Sequence, residues 1–112
     1  MLTMPSQIKV WVATAPVDMR KQYDGLAAVV TSVFKQNPRD LALFVFFNRA
    51  RDKVKILYYD RNGYALWCKR LEGGRYRLPT IQETVYRLSV SDLTCLLEGI
   101  DLVQAKRLSK IP

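Results

Sequence analysis

The chemistry available to this chain is mostly cationic. Arg20 and Lys21 follow Asp18 in a short polar stretch, and Arg49, Arg51 and Lys55 precede an Asn62-Gly63 pair. Tyr59, Arg61 and Tyr64 surround that pair, and Lys69, Arg70 and Arg75 come after it. Such side chains suit anions: Lys and Arg hold phosphate or carboxylate oxygens, while rings among them stack on unpaired bases. Acid–base or nucleophilic catalysis is poorly provided for. The chain has no histidine, which excludes hydrolases of the Ser-His-Asp and Cys-His types. Asp18, Asp24, Asp52, Asp60 and Glu72 are available to a two-metal nuclease, but no pair has metal-motif spacing, and Asp24, Asp60 and Asp92 are expected to serve caps and turns. Gly73-Gly74 lacks the pattern of a phosphate loop. The expectation is a protein that is not an enzyme, with no metal, no cofactor and no small-molecule substrate.

The elements that must carry these residues are legible in outline. IKVWVA at 8–13 alternates like a half-buried strand. Leu26, Val29, Val30, Val33 and Phe34 recur at helical spacing, so a helix is predicted over about 25–36, capped by Asp24 and stopped by Asn37-Pro38. LALFVFF at 41–47 has no polar alternation, which predicts a central strand covered on both faces. KVKILYYD and YALWCKRLE flank Asn62-Gly63 as a hairpin. RYRL after Gly73-Gly74 is read as a possible short strand ended by Pro79. TIQETVYRL is left open between helix, from Thr80 and Glu83, and strand, from Thr84, Val85 and Tyr86. Ser89 with Asp92 signals a second helix start, whose stripe is Leu93, Leu96, Leu97 and Ile100 and whose end is near Gly99. These elements predict a single α+β domain over 1–112: a mostly antiparallel sheet of four or five strands with two or three helices packed on it. Residues 103–112 read as a flexible basic tail.

A two-residue Asn62-Gly63 loop sets Tyr59 opposite Leu66, Tyr58 opposite Trp67, Lys55 opposite Arg70 and Lys53 opposite Glu72. One face, with Val54, Ile56, Tyr58, Trp67 and Leu71, reads as core. The other joins Leu57, Tyr59, Tyr64, Leu66 and Cys68 to Lys55, Arg61 and Arg70. Like charges directly opposed on a sheet repel, so Lys55 facing Arg70 suggests an anion between them, although basic strand residues also protect against edge-to-edge aggregation.

Composition sets the bounds. In 112 residues, 18 Lys and Arg against 10 Asp and Glu give a net charge of +8 and a pI near 9.8, which favours a polyanionic partner. The longest apolar run is too short to span a bilayer, and MLTMPSQIKV lacks a signal-peptide core, so no membrane partner and a cytoplasmic location are expected. Cys68 and Cys95 read as reduced, packed thiols.

Three stretches, PVDMRKQYDGL at 16–26, LFVFFNRARDKVKILYYDRNGYALWCKRLEGGRY at 43–76 and LLEGID at 96–101, resemble the small accessory proteins, often called TnpB, encoded beside the transposase in bacterial insertion elements of the sixty-six family. The likeness covers nearly the whole chain in order. It departs at Gln22, where the family commonly has Gly, and at Leu78, where it commonly has Trp. The resemblance implies an accessory role in transposition, with the strand-transfer chemistry on a separate transposase. Its matching positions include Asp18, Arg20, Lys21, Asn48, Arg49, Asp52, Lys55, Lys69, Arg70 and Arg75. The expected partners are DNA at the element ends, the transposase, or both. A protein-only adaptor docking acidic patches of the transposase and a metal-dependent nuclease using Asp52 or Asp60 are the alternatives.

Overall fold

A computed structural model describes residues 7–99. The expected tail at 103–112, and Ile100 of the second helix's stripe, lie outside the described residues. Five strands form one sheet: β1 (Lys9–Ala13), β2 (Ala42–Phe47), β3 (Lys53–Asp60), β4 (Gly63–Arg70) and β5 (Val85–Leu88), in the order β4-β3-β2-β1-β5. Only β1 and β2 run parallel; the other three pairings are antiparallel. The fold is α+β, as the sequence predicts. All six β2 residues are buried, because β2 lies inside the sheet with helices on both sides.

Alternation along the strands makes two cores. Val10, Val12, Leu43, Val45, Phe47, Val54 and Ile56 face helix α2 (Val90–Leu97), which contributes Leu93, Leu96 and Leu97. On the other face, Phe44, Phe46 and Leu57 meet Leu26, Val30 and Phe34. The Phe34 ring stands edge-on to Phe44 and Phe46, each at 5.5 Å between centroids, a geometry that aligns ring edges with ring faces. Helix α2 begins as predicted: the Ser89 hydroxyl accepts the Asp92 N–H at 3.0 Å. Gly99 follows it at φ +88°, the left-handed conformation that favours glycine beyond a helix end.

Elsewhere the structure corrects the reading. The first helix, α1, spans Tyr23–Val29 and widens into a π turn over Val30–Phe34. Asp24 is not its cap; Gln22 holds that position without a side-chain bond, and Asp24 sits inside the first turn, where its charge meets the helix dipole. The helix ends at Lys35, left-handed at φ 57°, before Asn37-Pro38 is reached. The wide turn keeps Leu26, Val30 and Phe34 buried in line. RYRL forms no strand: Tyr76 drops into the core, 1% exposed, and its N–H donates to the Arg51 carbonyl at 2.7 Å. Of the open stretch at 80–88, Val85–Leu88 becomes strand β5, drawn to the free edge of β1, and 80–84 stays irregular.

The hairpin forms, but two residues out of the expected register. Asp60 pairs with Gly63, Tyr59 with Tyr64, Lys55 with Cys68 and Lys53 with Arg70. Arg61, at φ 53°, takes the left-handed position of the turn. A slip of two leaves every side chain on its face, so apolar patterning cannot distinguish the registers and the turn decides. The like-charge opposition therefore belongs to Lys53 and Arg70, not to Lys55. Cys68 also departs from expectation: it is exposed on edge strand β4, while Cys95 is half-buried, and both are free.

Candidate nucleic-acid interface

The carboxyl ends of the parallel strands β1 and β2 lie side by side, and three loops meet there: 14–22, 48–52 and the strap 71–84. Asn48 organises the middle loop. Its Oδ1 accepts the N–H groups of Asp52 (3.1 Å) and Lys53 (3.0 Å), its Nδ2 donates to Asp52 Oδ1 (2.6 Å), and its carbonyl accepts the Arg51 N–H (3.1 Å). Asn48 thus holds four of the turn's bonds, and Arg51 adopts φ 60°. Val17 N–H bonds the Phe47 carbonyl at 2.9 Å, while Leu71 and Tyr76 N–H groups bond the carbonyls of Asp52 and Arg51. The strap is thus bonded to the 48–52 loop, and the 14–22 loop to the end of β2 and, through Thr14 N–H and the Thr84 carbonyl, to the strap.

From this platform Arg49, Arg51, Arg75 and Arg77 project, exposed and bordering a common depression. None of the four makes an ion pair with a described carboxylate, and Asp52, the nearest in sequence, is held by Asn48. Arg20 and Lys53 border an adjoining hollow with Arg49. Arg20 is not unengaged: its Nε and one terminal nitrogen clasp Asp18, the shortest contact being 2.7 Å. That clasp, with the Arg20 N–H also on the carboxylate, holds the Asp18 carboxyl at about 2, below its ordinary 3.8.

The expected site residues divide into three groups. Arg20, Arg49, Arg51 and Arg75 converge at the carboxyl edge of the parallel pair, with Lys69 and Arg70 exposed at the same end of β4. Tyr59, Arg61 and Tyr64 lie at the hairpin tip, roughly 24 Å away along β3. There the Tyr59 and Tyr64 rings pack edge-on at 5.2 Å, and the Arg39 guanidinium faces Tyr59 at 5.4 Å. Lys55 belongs to neither end: it is 8% exposed, and its Nζ donates to the Lys21 carbonyl at 2.8 Å, fastening the 14–22 loop to the sheet. Lys21 is exposed beside it. Sequence reasoning missed Lys53 and Arg77 as neighbours of the cluster, although RYRL carries its basic alternation openly. It also missed Asn48 as the residue that shapes the loop.

Arg49 and Arg51 also border a partly open cavity of about 270 Å³ at the end of β1, lined by Leu78, Pro79 and Ile81 of the strap, by Thr14 and Thr80 and by Tyr86. Burial pushes the Tyr86 hydroxyl up to about 12, while the Arg51 charge pulls the other way. Its proton stays on at neutral pH. Among the described residues no three His, Cys, Asp or Glu side chains are grouped to hold a metal ion, and no helix is long and apolar enough to cross a membrane.

The fold is that of a small α+β protein in which four arginines, Arg49, Arg51, Arg75 and Arg77, without ion-pair partners among the described residues, form a rim on the loops at one end of the sheet. The chain belongs to the IS66 Orf2-like family, whose model matches residues 8–107, and this associates it with transposition as an accessory protein of insertion elements. It is similar to two uncharacterized proteins of Sinorhizobium fredii (strain NBRC 101917 / NGR234). One, y4hO, is 39% identical over 90% of this chain and 88% of its own; the other, y4jC, is 32% identical over 89% and 86%. No solved structure matches the chain.

Proposed function

We propose that the protein is a non-enzymatic accessory factor of transposition whose arginine-rich rim binds the phosphate backbone of DNA. The observation that carries this reading is the convergence of Arg49, Arg51, Arg75 and Arg77 on bonded loops, with no carboxylate partner among the described residues. Guanidinium groups held close together repel one another, and phosphates relieve that repulsion by replacing condensed counterions. Family membership supplies the context, an insertion element with ends to be handled. The nuclease alternative finds less support, because Asp52 is engaged by Asn48 and Asp60 stands at the far hairpin tip.

Binding of the whole chain to a duplex from the element's end and to a scrambled duplex, across a salt series, tests the reading. Affinity that falls steeply with salt, with a slope of about −0.9 per phosphate neutralised, supports it. Preference for the end sequence adds recognition to backbone binding. Failure to bind either duplex at low salt would leave the rim as a docking face for acidic patches of the transposase.

A further inference from the structure

The cavity beside the rim is not accounted for by backbone binding. A duplex laid across Arg49, Arg51 and Arg75 presents phosphates to the guanidinium groups but nothing that enters a hollow of about 270 Å³. That volume lies near the lower end of small-molecule sites, roughly 300 Å³, so it admits one planar group. Its walls are mixed. Leu78, Pro79 and Ile81 offer half-buried apolar surface, Tyr86 offers a protonated hydroxyl without a hydrogen-bond partner among the described residues, and Arg49 and Arg51 stand at the boundary. An apolar wall on the strap, hydrogen-bonding side chains in Tyr86, Thr14 and Thr80, and two cations, Arg49 and Arg51, match the parts of a nucleotide: a ring to cover, a ring edge to bond and a phosphate to hold.

We infer that this cavity takes an unpaired nucleobase, its phosphate held by Arg49 and Arg51, so that the protein favours DNA with single-stranded or frayed ends over intact duplex. The inference rests on the reading of the rim as a DNA-binding surface and deepens it. The base enters between the strap and the end of β1, and Tyr86 donates to its edge. The strap is anchored to the end of β1 beside the cavity, since Thr14 N–H bonds the Thr84 carbonyl at 3.0 Å and the Thr14 hydroxyl donates to the Glu83 carbonyl at 2.6 Å.

The test compares the full chain's affinity for three labelled probes with the same number of phosphates: a blunt duplex, a duplex with a short single-stranded overhang, and the same overhang made of abasic residues. The expected result is that the overhang binds about tenfold more tightly than the blunt duplex, the scale of one stacked base, and that the abasic overhang loses this gain. Tyr86→Phe weakens overhang binding alone, and Ile81→Trp, which fills the slot, makes overhang and blunt duplex equal. Equal binding of all three probes overturns the inference and leaves the backbone-binding reading standing. An abasic overhang as tight as the natural one overturns it too, because phosphates alone would then explain the gain. Absence of binding to any probe overturns both readings.

Discussion

Lys55 and Arg51 illustrate how little charge alone says about role. Both are cations near the same loops, yet Lys55 is buried with its ammonium on the Lys21 carbonyl, whereas Arg51 uses its backbone to bond Asn48 and Tyr76 and leaves its guanidinium outside. Lys55→Ala should therefore lower stability by about 2 kcal/mol, the scale of a hydrogen bond from a charged group, and leave the salt slope of DNA binding unchanged. Denaturant melts and a binding titration on the same variant check both halves. Asn48→Ala should also destabilise, by about 1–3 kcal/mol because two backbone N–H groups lose their acceptor. It should weaken DNA binding as well, through the loop that presents Arg49 and Arg51. The Asp18–Arg20 pair gives a pH prediction. Because the folded pKa of Asp18 is depressed from 3.8 to about 2, its contribution is fully present above about 4 and disappears as pH falls through 2. An NMR titration of the Asp18 carboxyl should accordingly find its midpoint near 2, and Arg20→Ala should return it toward 3.8.

The first helix ends in a conformation that suits glycine better than the residue present. Lys35 is held left-handed at φ 57°, a conformation that costs a side-chain-bearing residue about 1 kcal/mol. Lys35→Gly should raise stability by about 0.5–1 kcal/mol in thermal or chemical melts, since the αL position suits glycine best. The features legible in the sequence were those fixed by short-range chemistry: the Ser89 cap, the Asn62-Gly63 reversal to within one residue, and β2, whose unbroken apolar run has no solvent-facing side. Features fixed by competition between distant segments were not legible. The hairpin register depended on Arg61 taking the turn, the fate of Val85–Leu88 depended on a free edge at β1, and Lys55 read as a surface cation because its partner is a carbonyl 34 residues away. The candidate site was legible as a list of cations but not as a place, since only the topology brings Arg20, Arg49 and Arg75 together and sends Arg61 to the other end.

The two ends of the sheet are unequal. The carboxyl end of the parallel pair carries four arginines on bonded loops, without ion-pair partners among the described residues; the hairpin tip carries Arg61 beside Asp60 and Arg39 over the Tyr59 ring, with Tyr59 and Tyr64 engaged with each other. A net charge of +8 would draw DNA to either end if charge density alone mattered. The most direct measurement is the salt dependence of duplex binding for the wild-type chain, for the combined Arg49→Gln, Arg51→Gln, Arg75→Gln variant and for Arg61→Gln. The rim variant should lose about 2.7 from the slope, three phosphates at about 0.9 each, and Arg61→Gln should leave it unchanged. A rim variant with the wild-type slope, or a loss confined to Arg61→Gln, would contradict phosphate binding by the rim.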